Sequence, residues 1–430
     1  MAVNMQAGSI GQIPRAGGAM LVMTDYVFLI ALGLAMLVAV DPFEVDLERR
    51  IQTKHLPMLL ALSSLILAMV GARIFRWQQK RPSSLPVLAP LLLLAAFVIT
   101  GGLYARVQLG IQNSFLVAGL YMLAAPMAAA VLLRCEPLVR VRMLHAYFVM
   151  LIAAGVVVFA GLAANYGVRQ VYHELEYLFP PLAVLCAFLI KRAWLRWTGV
   201  LFFLLFAVMF KKNTGYITGL LAAAYLVAFY FWPQWSRHDA LRRLTKAHWL
   251  LIGTMTLAVL AAYVIANRDQ YLPSGNPAYR MVTYEAAWRR FQDSPLIGTG
   301  FAGAASEKFT AFDTGVGNNV LPSHSDILDI FAHGGLLGVS LWLWALLRVA
   351  RLTLGTVLRA RWRSHVLTPY AHALACMSLA GVLTYAFNPI MLQPAKSLLL
   401  WGSLGFLVAI ALTIRQEQKA ENQNRLGGRA

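Results

Sequence analysis

The sequence predicts an all-α polytopic membrane protein with about twelve transmembrane helices and one long loop outside the cytosol that contains short amphipathic helices. The first observation is composition: of 430 residues, 59% are hydrophobic and only 13% are charged, and the mean hydropathy is +0.63. Such values are typical of a chain that lies mostly in lipid. The second and third observations are repeated apolar runs and a one-sided distribution of positive charge.

Apolar runs of about the length that crosses a bilayer recur along the whole chain. The first run is longer than the core of a signal peptide, so it is predicted to remain as a span. The run at 178–190 is short and carries Pro180 and Pro181 at its start. The twelve predicted spans lie at roughly 20–40, 56–72, 85–105, 114–133, 143–165, 178–190, 195–210, 214–232, 248–266, 334–350, 367–386 and 395–414.

Basic residues are distributed unequally between the two sides of the predicted bundle. With the N-terminus inside, 24 of the 37 Lys and Arg residues and 5 of the 18 Asp and Glu residues fall on the cytoplasmic side. That side then carries the whole net charge of +19, as the positive-inside rule requires, and both termini are predicted to be cytoplasmic. The charge needs no nucleic-acid partner, and the three cysteines predict no disulfide framework.

The long outer loop closes with the stretch "LPSHSDILDIFAHGG". Ser323 is predicted to be a helix N-cap, with Asp326 completing a capping box. His324 would then occupy the first helical position, where the helix dipole opposes protonation and Asp326 favours it, so a neutral imidazole suited to a general base is expected. Gly334 and Gly335 are predicted to allow a bend before the next span. The alternative is that His324 is only a polar interfacial residue that caps a re-entrant helix.

Earlier in the same loop, "NPAYRMVTYEAAWRRFQDSP" predicts a helix on the membrane surface, with Asn276 as N-cap and Pro277 in the first turn. Arg280 flanks the apolar stripe of this helix, and an arginine fork suits bidentate recognition of phosphate. Arg289 and Arg290 are predicted to face water or lipid headgroups, and headgroup anchoring is the alternative role for Arg280 as well. The stripe consists of residues at helical spacing, namely Met281, Tyr284, Trp288 and Phe291.

Two other outer segments carry charges of interest. "FKKNTGY" places Lys211 and Lys212 in a very short outer turn, against the positive-inside bias, so either an anionic ligand or phospholipid headgroups must favour them. The first outer loop contains Glu44 and Asp46, which could serve as a base or a metal-binding pair, although the basic residues that follow are predicted to neutralise them. Elsewhere outside, the sequence has no cluster with metal-ligand spacing, so neither a metal nor a cofactor is expected.

These segments together resemble the O-antigen ligases, within the O-antigen ligase/polymerase group of bacterial membrane proteins. The resemblance covers the topology and is concentrated in residues 210–344, where a helix with Arg and Trp precedes the turn "PLIGTGF" at 295–301. A histidine, His324, then stands ten residues before a glycine, Gly334. The family also has an arginine in a Ser-Arg-Gly-like turn, where this chain has Lys-Asn-Thr-Gly; Lys211 or Lys212 could substitute for it.

The resemblance implies a glycosyltransferase reaction at the periplasmic face of the bacterial inner membrane. Undecaprenyl-pyrophosphate-linked O-antigen glycan would be transferred to lipid A–core, completing lipopolysaccharide without a metal and with inversion at the sugar carbon. His324 would take the proton of the acceptor hydroxyl, while Arg280, with Lys211 and Lys212, would bind the pyrophosphate. Three further residues would support the histidine and its helix: Ser323, Asp326 and Gly334.

On this interpretation the chain divides into four regions. Nine transmembrane helices occupy 1–266, the periplasmic loop with the site residues occupies 267–333, three more transmembrane helices occupy 334–414, and 415–430 form a cytoplasmic tail. Two alternatives use the same donor: an O-antigen polymerase, with a second lipid-linked glycan as acceptor, and a protein O-oligosaccharyltransferase. A twelve-span transporter is an alternative from another class, but its long loop would be expected in the cytosol and near the middle of the chain.

Overall fold

A computed structural model describes residues 15–40, 59, 84–110, 114–164, 175–209, 213–231, 276–302, 306–308, 320–322, 325–357, 365–388 and 390–427. Within these ranges the chain is helical apart from turns and one small β-ladder, in which β1 (Ser306–Lys308) pairs antiparallel with β2 (Val320–Pro322). The helices are α1 Arg15–Val40, α2 Leu85–Gln108, α3 Ser114–Met122, α4 Ala124–Arg134, α5 Pro137–Ala164, α6 Leu182–Leu189, α7 Ala193–Met209, α8 Asn213–Leu226, α9 Asn276–Asp293, α10 Asp326–Thr356, α11 Thr368–Phe387 and α12 Pro394–Gly427. A π-helical turn, Val227–Phe231, continues α8.

Six helical segments in the described ranges are long and apolar enough to cross a membrane. They confirm a helical, multi-pass membrane protein. The count of twelve spans stays a prediction, because the runs at 56–72 and 248–266 lie outside the described residues. The six segments are Leu85–Gln108, Phe115–Arg134, Pro137–Gly161, Thr214–Phe231, Asp326–Thr356 and Pro394–Gln423, and the shorter apolar helices are Tyr26–Val40 and Ala193–Met209.

The predicted span at 178–190 forms only the eight-residue helix α6. At 1.5 Å per residue this helix is about 12 Å long, less than half of a hydrocarbon core about 30 Å thick. Pro180 and Pro181 precede its first residue, where a missing backbone N–H costs no helical hydrogen bond. Because its side chains are buried from Leu182 to Ala187, α6 packs inside the bundle, and its helical part is shorter than the predicted span.

Helix α12 is the centre of the bundle. The most apolar window of its spanning part is entirely buried, and it packs against α1, α3, α4, α10 and α11. Burial on every side explains why this helix shows almost no polar face along its apolar length. The arrangement places the start of α12 next to the start of α10.

Helix α10 bends at Gly335, where the backbone angles are φ 56° and ψ −158°. The bend that Gly334 and Gly335 predicted is confirmed, and it separates a nine-residue piece, 326–334, from a straight segment, 336–356. The segment of 21 residues is about 32 Å long, which matches a hydrocarbon core.

The N-cap of α10 is Ser325, whose Oγ accepts a hydrogen bond from the N–H of Leu328 over 3.4 Å. The predicted cap at Ser323 is therefore wrong, and so is the first helical position predicted for His324. The helix begins at Asp326, two residues beyond His324. The physical reason is that Ser325 has the extended backbone of a cap and its hydroxyl reaches the N–H three residues on.

Candidate active site at the joined helix ends

Helices α6 and α8 are joined at their first residues. Thr214, in the first turn of α8, donates a hydrogen bond from Oγ1 to Oε1 of Glu176 over 3.3 Å. Glu176 lies in the turn that precedes α6. The contact fixes the start of α8, and with it the end of the "FKKNTGY" stretch, to the turn before α6.

Two further hydrogen bonds bring in α12 and α10. The Oη of Tyr177 donates to the carbonyl oxygen of Lys396, in the first turn of α12, over 2.6 Å. The N–H of Met391, in the turn before α12, donates to Oδ2 of Asp326, the first residue of α10, over 2.8 Å. Four helices thus begin at one end of the bundle. The residues that join them are called the helix-end cluster here: Glu176, Tyr177, Thr214, Asp326, Met391 and Lys396.

The helix-end cluster is buried although it contains charged side chains. Glu176 and Asp326 are 0% exposed, Lys396 is 7% exposed, and the neighbouring Asp329 is buried as well. Ionisable side chains inside a membrane bundle are costly and typically mark binding or proton-transfer sites. The dipole of α10 favours Asp326 and Asp329 in its first turn, whereas the dipole of α12 opposes Lys396.

An apolar cavity of about 290 Å³ lies between α8, α10, α11 and α12. Trp342, Leu346 and Leu404 are typical of the side chains that line it. Tyr385 also lines the cavity and packs edge-on against Trp401, with ring centroids 5.9 Å apart. Tyr385 also lies close enough to Asp326 of the helix-end cluster for the two groups to interact electrostatically.

Helix α9, from the long loop, docks on α10. Its docking face contains Thr283 and Ala287, both buried, followed one turn later by Arg290. These positions are spaced four and three residues apart, so they lie on one side of the helix. Beside them Phe291 meets Phe331 of α10 edge-on, with ring centroids 5.6 Å apart.

His333 of α10 contacts this docking face of α9 through Arg290. It is 1% exposed, and its Nε2 lies 3.1 Å from Nη1 of Arg290. Its Nδ1 lies 2.7 Å from Oγ1 of Thr299, and its ring packs on Phe115 with centroids 4.6 Å apart. A guanidinium only donates hydrogen bonds, so Nε2 accepts from Arg290 and Nδ1–H donates to Thr299. This pattern fits the neutral imidazole.

The "PLIGTGF" turn lies along the bend of α10 and is tied to it by backbone hydrogen bonds. The N–H of Phe301 donates to the carbonyl of His333 over 2.9 Å, and that of Thr299 donates to Ala332 over 3.4 Å. Beyond the bend, α10 donates to the turn instead. The N–H of Leu336 donates to the carbonyl oxygen of Pro295 over 2.8 Å, and that of Leu337 donates to the carbonyl oxygen of Leu296 over 3.0 Å. The bend exposes the backbone groups that a straight helix would use internally, and the turn satisfies them.

Two glycines make this close approach possible. Gly298 has φ 57°, and a Cβ there would lie 2.5 Å from the carbonyl oxygen of Ala332. Gly335 has φ 56°, and a Cβ there would lie 2.6 Å from the backbone nitrogen of Gly298. Only glycine combines this left-handed backbone with the missing side chain that the contact requires. Gly334 has a related role, since a Cβ on it would lie 2.9 Å from the ring of Phe301.

Residues 178–343 match a family model described as O-antigen ligase. The match covers 166 of the 430 residues, and within it the chain is similar to the O-antigen ligases. The match extends from the turn before α6, through α9 and the "PLIGTGF" turn, into the spanning part of α10, and it includes Thr214 and Asp326 of the helix-end cluster. No curated protein matches the chain. The O-antigen ligase segment and the apolar helices together indicate a membrane enzyme of the O-antigen ligase/polymerase type.

Several predicted site residues of the O-antigen ligase segment lie outside the described residues: Lys211, Lys212, Ser323 and His324. Glu44 and Asp46, in the first predicted outer loop, do so too. The chain positions next to the first group are nevertheless fixed, because α8 begins one residue after Lys212 and α10 begins two residues after His324. Both helix starts belong to the helix-end cluster. The roles assigned to these residues stay predictions.

Arg280 lies within α9, three residues before Thr283. That spacing puts position 280 on the docking side of the helix. Arg289 is exposed and pairs with Glu285 over 2.6 Å, in agreement with the prediction that it faces water. The same prediction is wrong for Arg290, which reaches the buried His333, because residue 290 follows Ala287 by three positions on the docking face.

The sequence patterns did not indicate roles for Glu176, Lys396 and His333. A signal was present for the first two: a glutamate stands four residues before a Pro-Pro pair in an apolar run, and a lysine stands at the start of the last span. The partners of His333 are too distant in sequence for any local pattern to indicate them. Among the residues that the structure describes, no group of three or more His, Cys, Asp or Glu side chains could hold a metal ion.

Proposed function

We propose that the protein transfers glycan from undecaprenyl pyrophosphate to lipid A–core at the periplasmic face of the bacterial inner membrane. The observation that carries the proposal is the helix-end cluster. It joins the starts of α8 and α10, the two helices that directly follow the predicted phosphate-binding lysines and the predicted base. The starts of α8 and α10, more than a hundred residues apart in sequence, thereby belong to one buried polar cluster.

The reaction proposed is a single displacement. The oxygen of the acceptor hydroxyl attacks the anomeric carbon as its proton passes to His324, and the bond from that carbon to the pyrophosphate oxygen breaks. The electron pair of that bond leaves with the lipid pyrophosphate, and the sugar carbon is inverted. Fixed cations can stabilise the departing charge without a metal. Arg280, with Lys211 and Lys212, is assigned this role.

The helix ends add a second source of positive potential. The free N–H groups at a helix N-terminus favour anions, and α8 and α10 both begin at the cluster. Asp326 holds the start of α10, two residues after the predicted base, against the turn before α12. Ser323, also just before this start, and Gly334, against Phe301, are assigned supporting roles.

The cavity between α8, α10, α11 and α12 supports a lipid-linked substrate. Its walls are apolar, and Tyr385 connects it to Asp326. A prenyl tail could occupy apolar space of this kind while the pyrophosphate lies at the helix ends. The proposed orientation has both termini in the cytoplasm, as the charge distribution predicts.

The experiment that tests the proposal is reconstitution of the purified protein with a lipid-linked glycan donor. Lipid A–core, a second lipid-linked glycan and a serine-containing peptide are offered separately as acceptors. Transfer to lipid A–core is the expected result. Elongation of the lipid-linked glycan alone would identify a polymerase, and transfer to the peptide alone would identify a protein glycosyltransferase. Donor consumption with none of the three would overturn the proposal.

A further inference from the structure

We propose that His333 is a positioning residue that locks the loop helix α9, and with it Arg280, onto the start of α10. The inference deepens the proposed function and rests on it for the role of Arg280. His333 is held by three separate parts of the chain, through Arg290 of α9, Thr299 of the "PLIGTGF" turn and Phe115 of α3. The contacts to Arg290 and Thr299 bridge the long loop to α10, and Phe115 anchors them to the bundle.

The side chain at position 333 has to accept one hydrogen bond and donate another. Arg290 needs an acceptor and Thr299 can use a donor, and a neutral imidazole offers one of each on opposite sides of the ring. The flat ring also fills the space beside Phe115, where the two centroids are 4.6 Å apart. With 1% of its surface exposed, His333 has little contact with solvent that could replace either hydrogen bond. Loss of the ring would leave the Arg290 guanidinium without this acceptor at a buried interface.

The contact between His333 and Arg290 affects the position of Arg280 because both arginines lie on the same rigid helix, α9. Arg280 and Arg290 are ten residues apart on one helix of 18 residues, a distance of about 15 Å along the axis. Arg290 on His333 and Phe291 on Phe331 fix the C-terminal end of α9 at two points. The buried Thr283 and Ala287 continue this contact along the helix, so loss of the His333 contact is expected to shift α9, and position 280 with it, relative to α10.

The test is a double-mutant cycle between His333→Ala and Arg280→Ala, with the KM for the lipid-linked donor and kcat measured separately. A displacement of about 1 Å at a reacting group can cost about 10²-fold, so His333→Ala is expected to lower kcat/KM by about that factor, mostly through the donor KM. In the Arg280→Ala background the same substitution should have little further effect, because coupled residues are not additive. Effects that multiply independently would overturn the proposal.

Matched variants separate positioning from general damage. Arg290→Ala should reproduce the donor defect, whereas Arg289→Ala, on the exposed pair with Glu285, should not. Thr299→Ser keeps the hydroxyl and should retain donor affinity that Thr299→Val loses. If His333→Ala fails to fold, the same cycle with Thr299→Val, which removes one hydrogen bond, decides the question.

Hydrogen exchange tests the lock without any substrate. The amides of α9 are expected to exchange at least tenfold faster in His333→Ala than in the parent protein, and those of α12 should be unchanged. Unchanged protection of α9 would overturn the lock even if transfer were impaired. A parent protein that transfers no glycan would overturn the proposed function instead, and the exchange result would still decide whether His333 holds the helix.

Discussion

The carboxylate of Asp326 accepts a hydrogen bond of 2.8 Å from the backbone N–H of Met391. The two residues are 65 positions apart, and both are buried. The contact fixes the first residue of α10 to the turn before α12, the central helix of the bundle. The part of the chain that carries the predicted base is thus anchored by a helix other than its own.

Replacing Asp326 by alanine should destabilise the protein. The Met391 N–H would be left without its acceptor, and an unsatisfied buried group costs about 1–3 kcal/mol. Asp326→Asn keeps one oxygen that can accept the bond and should cost less. Thermal unfolding in detergent measures both variants. An alanine variant as stable as the parent would show that the contact is not needed to hold the two helices.

His324→Ala should reduce turnover by about 10²–10⁴-fold, the usual contribution of a general base. Membrane insertion and unfolding temperature should be unchanged, since α10 begins and is capped after this residue. The control is His365→Ala, whose imidazole pairs with Glu417 on the C-terminal part of α12 and should leave transfer near normal. Normal transfer by a well-folded His324→Ala protein would remove the histidine from the mechanism.

Arg280→Lys should raise the donor KM substantially, although the positive charge is kept, because lysine lacks the fork that binds phosphate at two points. Combined replacement of Lys211 and Lys212 by alanine should also weaken donor handling. Arg289→Lys, about two and a half turns along the same helix, provides the matched control. Steady-state kinetics with the lipid-linked donor distinguish the three proteins, and normal donor binding by the first two would place the pyrophosphate elsewhere.

Gly298→Ala should prevent the "PLIGTGF" turn from docking. A left-handed backbone costs a non-glycine residue about 1–2 kcal/mol, and the added Cβ would also meet the carbonyl of Ala332 at 2.5 Å. Gly355→Ala is the control, because no atom lies within 4 Å of its added Cβ and alanine has a higher helix propensity than glycine. Yields of folded protein after detergent extraction compare the two. Equal yields would contradict the close approach.

Transfer should persist in excess EDTA. Fixed cations can stabilise a departing pyrophosphate as a metal does, and Lys and Arg are the residues assigned to that role. The double substitution Glu44→Gln with Asp46→Asn should retain most of the activity. If EDTA abolished transfer, magnesium restored it and the double variant were inactive, the active site would move to the first outer loop.

Local features of the sequence predicted the local features of the fold. Proline after asparagine predicted the start of α9, and the Gly334–Gly335 pair predicted the bend in α10. The cap was misplaced because Ser323 and Ser325 both precede the helix and only the backbone decides between them. Arg289 and Arg290 are adjacent and chemically identical. Which of them faces water and which lies at the interface depends on the rotation of α9 about its axis, and the packing against α10 sets that rotation.

The helix-end cluster could not be predicted in the same way. Its hydrogen bonds join residues 38, 65 and 219 positions apart, and no pattern within one helix specifies such pairs. An isolated glutamate or lysine in an apolar run shows that a buried polar contact exists, but it does not identify the partner. The tertiary packing of α6, α8, α10 and α12 provides that information.

The bend at Gly335 also bears on how the protein fits bilayers of different thickness. Only residues 336–356, about 32 Å of helix, have to match the hydrocarbon, because the axis changes direction before the nine preceding residues. A span adjusts to a thinner bilayer by tilting, and a straight helix would move its outer end sideways as it tilts. Here the nine residues before Gly335 leave the axis of the spanning segment, and Asp326 is held by Met391. The depth of the proposed site would therefore be set by the packing around the bend rather than by the full length of α10.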